Sequence, residues 1–519
     1  MLYKTWRMNF LKTYSLGVLV LLVFASCGSL PESETLPLKR EFRGVWVATV
    51  VNIDWPGSGT DTVKKQQEDF IKILDFYRKL NFNAVILQVR TAGDALYPSQ
   101  RVPWSRFLTG KEGEAPKPYY DPLEWMIEET HKRGFEFHAW LNPYRATFDL
   151  NTALLSPEHD YFTHPEWMIK YGKKYYYNPG LPEVREHLLA VMEEVIQNYD
   201  IDAVHFDDYF YPYKIKGEVF EDSEAFKRYG KAQQTPEDWR RENINTLIRR
   251  IHELIVTQKP WVQFGVSPFG VWRNASEDPA GSDTQGGQTT YDDLYADPLL
   301  WMKNGWIDYV VPQLYWSMEH PRVAHRKLVA WWAARTKNTA LYIGNGAYKI
   351  NSDSDRAWHD NNELPKQLSL ARNTPNVQGN VFFSARSLRD DNKKEVLQLL
   401  SENFYKYKAL PPLIRPEGMP PPVPELLRIE KQGEKITCIF KANGTRQIRA
   451  LALYGYKNKR KLSVEDAGQL IDVFYVKNTG GDIEISISRQ ELKQENRYAV
   501  TCVDRYGRES RPLFFKIPR

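Results

Sequence analysis

Only 3 cysteines occur among 519 residues. So few exclude a disulfide-stapled scaffold, and no Cys-x-x-Cys pair or Cys/His cluster offers a structural metal site. Charge of one sign is missing as well: 70 basic residues face 65 acidic ones, a net of +5. With no basic run in the body, the chain has no electrostatic footprint for nucleic acid. Past the N-terminal segment, no apolar stretch is long enough to cross a bilayer. No glycine-rich turn follows the first strand-like run, which argues against a dinucleotide-binding sheet. No phosphate loop or metal-type histidine spacing occurs, so phosphotransfer and zinc hydrolysis rank low and neither metal nor cofactor is expected.

Aromatic residues are plentiful instead, with 16 Trp, 30 Tyr and 24 Phe. They pack cores, and they also form the flat platforms on which sugar rings stack. The N-terminus carries Lys4, Arg7 and Lys12, then the apolar run SLGVLVLLVFA, then Ala25, Ser26 and Cys27. That order reads as a bacterial export signal over residues 1–26. Its FASC end resembles a lipobox, which makes Cys27 the expected lipidation site. Residues 27–40 read as a polar tether. The expected location is the bacterial cell envelope, with the chain lipid-anchored to a membrane, the outer membrane first. The body would then lie in the periplasm or at the cell surface.

A chain of this length exceeds what one core serves, so at least two folded units are expected. Eight short runs rich in β-branched and aromatic residues alternate with helix-length stretches. They begin with RGVWVATV (43–50) and NAVILQV (83–89), and end with ALYIGNGAY (340–348) and GNVFFSARS (379–387). Among the intervening stretches, 66–80 places Phe70, Ile73, Leu74 and Tyr77 on one helical face. The pattern predicts an α/β fold, a (β/α)8 TIM-type barrel over residues 41–409. Residues 410–425 are proline-dense and read as a semi-rigid linker. Residues 426–519 alternate in short strands and predict a small β-sandwich, whose end, RYAVTCVDRYGRES, resembles a fibronectin type III module. Cys438 and Cys502 fall on faces that both point inward if the sandwich closes, either bonded or as two buried thiols.

Chemistry in such barrels sits at the carboxyl ends of the strands. Read there, the chain offers Gln88, Arg90 and Asp94 after the second strand, and Asn142, Tyr144 and Arg145 after the third. His205, Asp207, Asp208 and Tyr209 follow on the fourth, Gln313, Tyr315 and Trp316 on the sixth, and Asn345 on the seventh. A ring of amides, aromatics and acids suits the hydroxyls and apolar faces of a sugar. Asp207 and Asp208 are the catalytic candidates, and the others are candidates for binding substrate. By the two-residue period, Asp207 faces the barrel mouth beside His205, and Asp208 faces the helices or lies in the loop. Other acids that could serve as a second carboxyl are Asp54, Asp94 and Glu319.

EFRGVWVATVVNIDWP (41–56), NAVILQVRTAGDALYPS (83–99), FHAWLNPYR (137–145) and DAVHFDDYFYP (202–212) carry a resemblance that VSPFGVWRN (266–274) and LYIGNGAYKI (341–350) extend. Together they resemble the glycosyl-hydrolase-like 10 family of bacterial envelope lipoproteins. The resemblance implies a barrel relative of glycoside hydrolases, with peptidoglycan glycan strands among the substrates to expect. The fourth-strand end also resembles the α-amylase clan, with Asp207 in the place of the nucleophile. The fifth strand departs from that clan, because Ser267, Pro268 and Phe269 stand where a glutamate general acid belongs. The expected function is hydrolysis of a cell-envelope or captured polysaccharide by a monomer; the alternative is a non-catalytic glycan-binding lipoprotein on a degenerate barrel.

Overall fold

The computed structural model describes residues 38–517 apart from 414, 443–447, 457–462, 477–481, 491 and 493–496. The export signal, Cys27 and the tether as far as residue 37 lie outside the described residues. Eight strands close a parallel barrel: β1 (Phe42–Val47), β2 (Ala84–Arg90), β3 (Glu136–Leu141), β4 (Ala203–Phe206), β5 (Gln263–Val266), β6 (Tyr309–Val310), β7 (Ala340–Asn345) and β8 (Val377–Phe382). Each strand pairs with its neighbours in sequence, and β8 pairs back onto β1. The first helix, α1 (Val63–Lys79), starts where the Thr62 side chain accepts from Lys65 N, and it buries Phe70, Ile73, Leu74 and Tyr77 against the strands. Three longer helices further along, α2 (Pro122–His131), α3 (Pro182–Asn198) and α4 (Pro236–Gln258), each open with proline in the first turn, where its missing N–H costs nothing.

The barrel interior is aromatic and polar together. Phe42 stacks on Tyr342 with ring centroids 4.0 Å apart. Gly265 makes room for Tyr309, since a Cβ there would lie 1.9 Å from the Tyr309 ring. The Tyr309 hydroxyl then meets His138 Nδ1 at 2.8 Å and His205 Nδ1 at 3.0 Å. These interior partners satisfy groups that would be costly if buried alone.

The C-terminal strands form two antiparallel layers. One has the order β9 (Glu425–Gln432), β10 (Lys435–Lys441), β13 (Ile483–Ser488); the other runs β12 (Leu470–Tyr475), β11 (Ile448–Tyr456), β14 (Arg497–Asp504), β15 (Leu513–Phe515). Together they form a small all-β domain. Cys438 on β10 and Cys502 on β14 are buried free thiols in its core, and burial pushes them up to about 11 and about 12.

The β domain packs on the amino-terminal end of the barrel, and the two form one compact unit. Arg449 on β11 reaches Asp200 at 2.8 Å and pairs with Asp202 just before β4. Arg505 meets Asp200 at 2.6 Å, and Tyr475 stacks on His131 at the end of α2. The proline-rich segment is docked as well, with Arg415 paired to Asp308 at 2.7 Å. Residues 39 and 41 likewise bond to Leu410, so the last residues of the expected tether are part of the fold.

Candidate active site

The barrel mouth holds a pocket of about 230 Å³, lined by Trp46, Gln88, Trp140, Arg145, Asp207, Asp208, Tyr209, Ser267, Gln313, Tyr315, Tyr348 and Phe383, among others. Trp46 and Trp140 sit at the inner wall, because β1 and β3 turn those side chains into the barrel. Tyr348 and Phe383 come from the segments that follow β7 and β8.

Both aspartates line this pocket, and both are nearly inaccessible, at 5% for Asp207 and 2% for Asp208. Asp208 lies in the loop after β4, one of its two expected places, but it faces the pocket and not the helices. Strand β4 stops at Phe206, and Asp207 then folds back to accept from Tyr209 N at 3.4 Å while Phe210 N bonds to Asp208 O. An Asx-type turn of this kind ends the two-residue alternation, so both carboxylates turn to one side.

Their surroundings differ. Asp207 accepts from Asn142 Nδ2 at 3.2 and 3.3 Å to its two oxygens. Burial raises its carboxyl above the usual range, and the nearby Arg145 guanidinium and Asn142 amide oppose that rise. Asp208 accepts from the Tyr213 hydroxyl. Burial, with the charge of Asp207 beside it, pushes Asp208 up to about 7. The pair thus presents one carboxyl pushed up to about 7 beside one whose rise is opposed by a guanidinium and an amide, two environments suited to different tasks.

The other candidates divide into lining groups and supports. Gln88, Arg145, Tyr209, Gln313 and Tyr315 face the pocket. Asn142 stands behind Asp207, and its Oδ1 accepts from Arg145 N at 3.0 Å. Arg90 is fully buried and bonds to Asn142 O and Pro143 O, so it braces the turn that carries Asn142 and Arg145. His205 lies one layer deeper, between Tyr309, Ser267 and Trp46, and burial holds it well below the usual histidine range, hence neutral. Asp94 closes its own loop by accepting from Thr91 N and Ala92 N. Tyr144 is core, Trp316 packs on Phe269, and Asn345 is spent on Gln367 and Asn380. These residues do not line the pocket. Of the other acids, Asp54 binds Ala48 N, Ser384 and Arg386 N, and Glu319 pairs with Arg326 at the surface. Trp46, Tyr348 and Phe383 were not foreseen as lining residues. Alternation along β1 marks Trp46 as inward-facing, whereas the other two sit past the strand ends, where no period applies.

Residues 41–360 match the glycosyl hydrolase-like 10 family. Glycosyl hydrolase YngK of Bacillus subtilis (strain 168) is 48% identical over 390 residues, covering 74% of this chain and 76% of its own. Glycosyl hydrolase DigH of Escherichia coli (strain K12) is 39% identical over 406 residues, covering 74% of this chain and 92% of its own. Among solved structures, the glycoside hydrolase domain of PgaB (BpsB) from Bordetella bronchiseptica aligns on 71% of this chain and 100% of its own, at 13% identity and a TM-score of 0.48. With a family match over most of the barrel and relatives this similar, the chain belongs to the glycosyl hydrolase-like 10 family.

Proposed function

We propose that this protein is a lipid-anchored glycoside hydrolase that cuts O-glycosidic bonds in a cell-envelope or captured polysaccharide, with peptidoglycan glycan strands the first substrate to test. The observation that carries the reading is the pair Asp207 and Asp208, turned into one aromatic-lined pocket at the barrel mouth. Asp208 is the general acid: it gives its proton to the leaving oxygen and, as an anion, takes one from the incoming water. Asp207 opposes the positive charge that develops at the anomeric carbon. Trp46, Trp140 and Tyr315 offer apolar faces to the sugar ring, while Gln88 and Gln313 offer amides to its hydroxyls. The names of YngK and DigH support the same reading.

Ser267, where the amylase clan would offer an acid, favours the alternative of a barrel that binds glycan without cutting it. Purified sacculi, with and without stem peptides, and a panel of soluble polysaccharides separate the two. Soluble fragments identified by mass support the hydrolase. Binding without product, even at high protein concentration, leaves only the binder.

The pH profile follows from Asp208. With its carboxyl near 7 and needed as an acid, kcat/KM should fall as pH rises through that value. The Tyr213 hydroxyl bonds to the ionised form and holds the value down. Tyr213→Phe should therefore move the alkaline limb to higher pH, and a limb that stays in place would separate it from Asp208.

Anchoring is a separate proposal that rests on FASC. Cys27→Ser should shift the protein from the membrane to the soluble fraction. Retention of that variant through high-salt washing would show that something other than lipid holds it.

A further inference from the structure

Among the residues lining the pocket, Asp207 and Asp208 are the only acids. Their α-carbons are neighbours, about 3.8 Å apart, so both carboxyls approach a bound sugar from one side. A double displacement by the protein needs two carboxyls facing each other across the bond at about 5–5.5 Å, and direct attack by water needs about 6.5–9.5 Å. The lining groups past the ends of the other strands include Ser267, Gln313, Tyr315, Tyr348 and Phe383, none of which can take either role as a carboxylate.

We propose that the missing nucleophile belongs to the substrate: the site takes a 2-acetamido-2-deoxy sugar, whose acetamido oxygen attacks its own anomeric carbon while Asp207 holds the acetamido N–H. This rests on the hydrolase reading and assigns the two acids different tasks. In the first step the acetamido carbonyl oxygen forms a bond to C1, and the bond from C1 to the leaving oxygen breaks. The electron pair of that bond goes to the leaving oxygen, which takes the Asp208 proton. The acetamido N–H proton passes to, or is shared with, the Asp207 carboxylate, leaving a cyclic oxazoline. In the second step water adds to C1, its proton returns to Asp208, and the ring bond to the acetamido oxygen breaks. Asp207 gives the N–H proton back. The anomeric configuration is retained, and no further reactant is consumed.

The surroundings fit these tasks. Asp207 is supported as an anion by two contacts from Asn142 and by Arg145, which is what an acceptor for N–H requires. Asp208 takes bonds from the Tyr213 hydroxyl, the Gln313 amide and a backbone N–H, while burial and the charge of Asp207 favour its protonated form, as suits a group that must hold and release a proton. Trp46, Ala48 and Trp140 give an apolar wall where an acetyl methyl can pack. Trp140 is 6% exposed, and its indole N–H adds to the support of the Asp207 anion from the same wall. An attached nucleophile is also fast, because its approach is prepaid in the substrate.

The test uses the wild-type full chain and peptide-free glycan strands in four forms: native, N-deacetylated, deacetylated and then re-acetylated, and deacetylated and then trifluoroacetylated. Native and re-acetylated strands should be cut at equal rates. Deacetylated strands should be cut about 100-fold more slowly or less, the scale of a lost catalytic group. Trifluoroacetylated strands keep the size of the acetyl group but have a poor carbonyl nucleophile, so they should be slow although they still bind. Equal rates on native and trifluoroacetylated strands, or on native and deacetylated strands, would overturn the proposal and leave the hydrolase reading standing. Failure to cut any form would remove both.

Discussion

Asp207→Asn should lower kcat on a glycan substrate by about 10²–10⁴-fold, with folding and glycan binding intact. The amide has the shape of the carboxyl and can still accept from Asn142 and Tyr209 N, so the turn after β4 keeps its bonds. It cannot oppose positive charge at C1 or accept a proton. The stability consequence has a definite sign. Burial raises Asp207 above its unfolded value, so its contribution is present at low pH and is lost as pH rises through the folded value. The asparagine variant should therefore melt no lower than wild type at neutral pH. Asp208→Asn should be inactive as well, since it removes the proton donor, and by the same sign it should not destabilise at neutral pH. A folded Asp207→Asn with full activity would remove Asp207 from the chemistry.

Arg449→Met should cost several kcal/mol of stability, about 3–5 for breaking one side of a buried ion pair. Arg449 comes from the β domain and is buried, with the largely covered Asp202 of the barrel opposite it and the more exposed Asp200 sharing it. Methionine fills much of the space but leaves Asp202 with His131 and Phe137 N alone. Arg449 and His131 hold the Asp202 carboxyl well below the usual range against the cost of burial. A depressed carboxylate stabilises above its unfolded value, near 4, and that contribution is lost as pH falls toward the folded value. Denaturant unfolding of wild type should therefore weaken in acid, and the variant should show less of that dependence. A variant as stable as wild type at neutral pH would mean that this ion pair adds nothing to holding the β domain on the barrel.

The places where sequence and structure part follow from what periodicity can carry. The starts of the eight strands were legible because apolar, β-branched runs begin there, and α1 was legible because Phe70, Ile73, Leu74 and Tyr77 repeat at helical spacing. The strand ends were not. The apolar run DYVVPQLYW (308–316) has the length and composition of a full strand, yet β6 is only Tyr309–Val310, because Pro312 offers no N–H to a ladder. The same limit misplaced Asp208, whose direction is set by a turn beyond Phe206 rather than by alternation. Arg90, Asp94 and Asn345 have the residue types of binding groups, and only the structure shows that they are engaged by Asn142, Thr91 and Gln367 away from the pocket. The docking of the β domain was hidden for another reason. Arg449 and Asp202 are 247 positions apart, and no local pattern links them.

Cleavage in heavy-oxygen water tests the central claim most directly. Wild-type protein would be incubated with peptide-free glycan strands, and the soluble fragments weighed by mass spectrometry. A glycoside hydrolase must place one oxygen from the solvent on each new reducing end, so the account predicts fragments that carry the heavy isotope there and none from Asp208→Asn. Fragments ending in an unlabelled anhydro sugar, or strands bound but never cut, would contradict it.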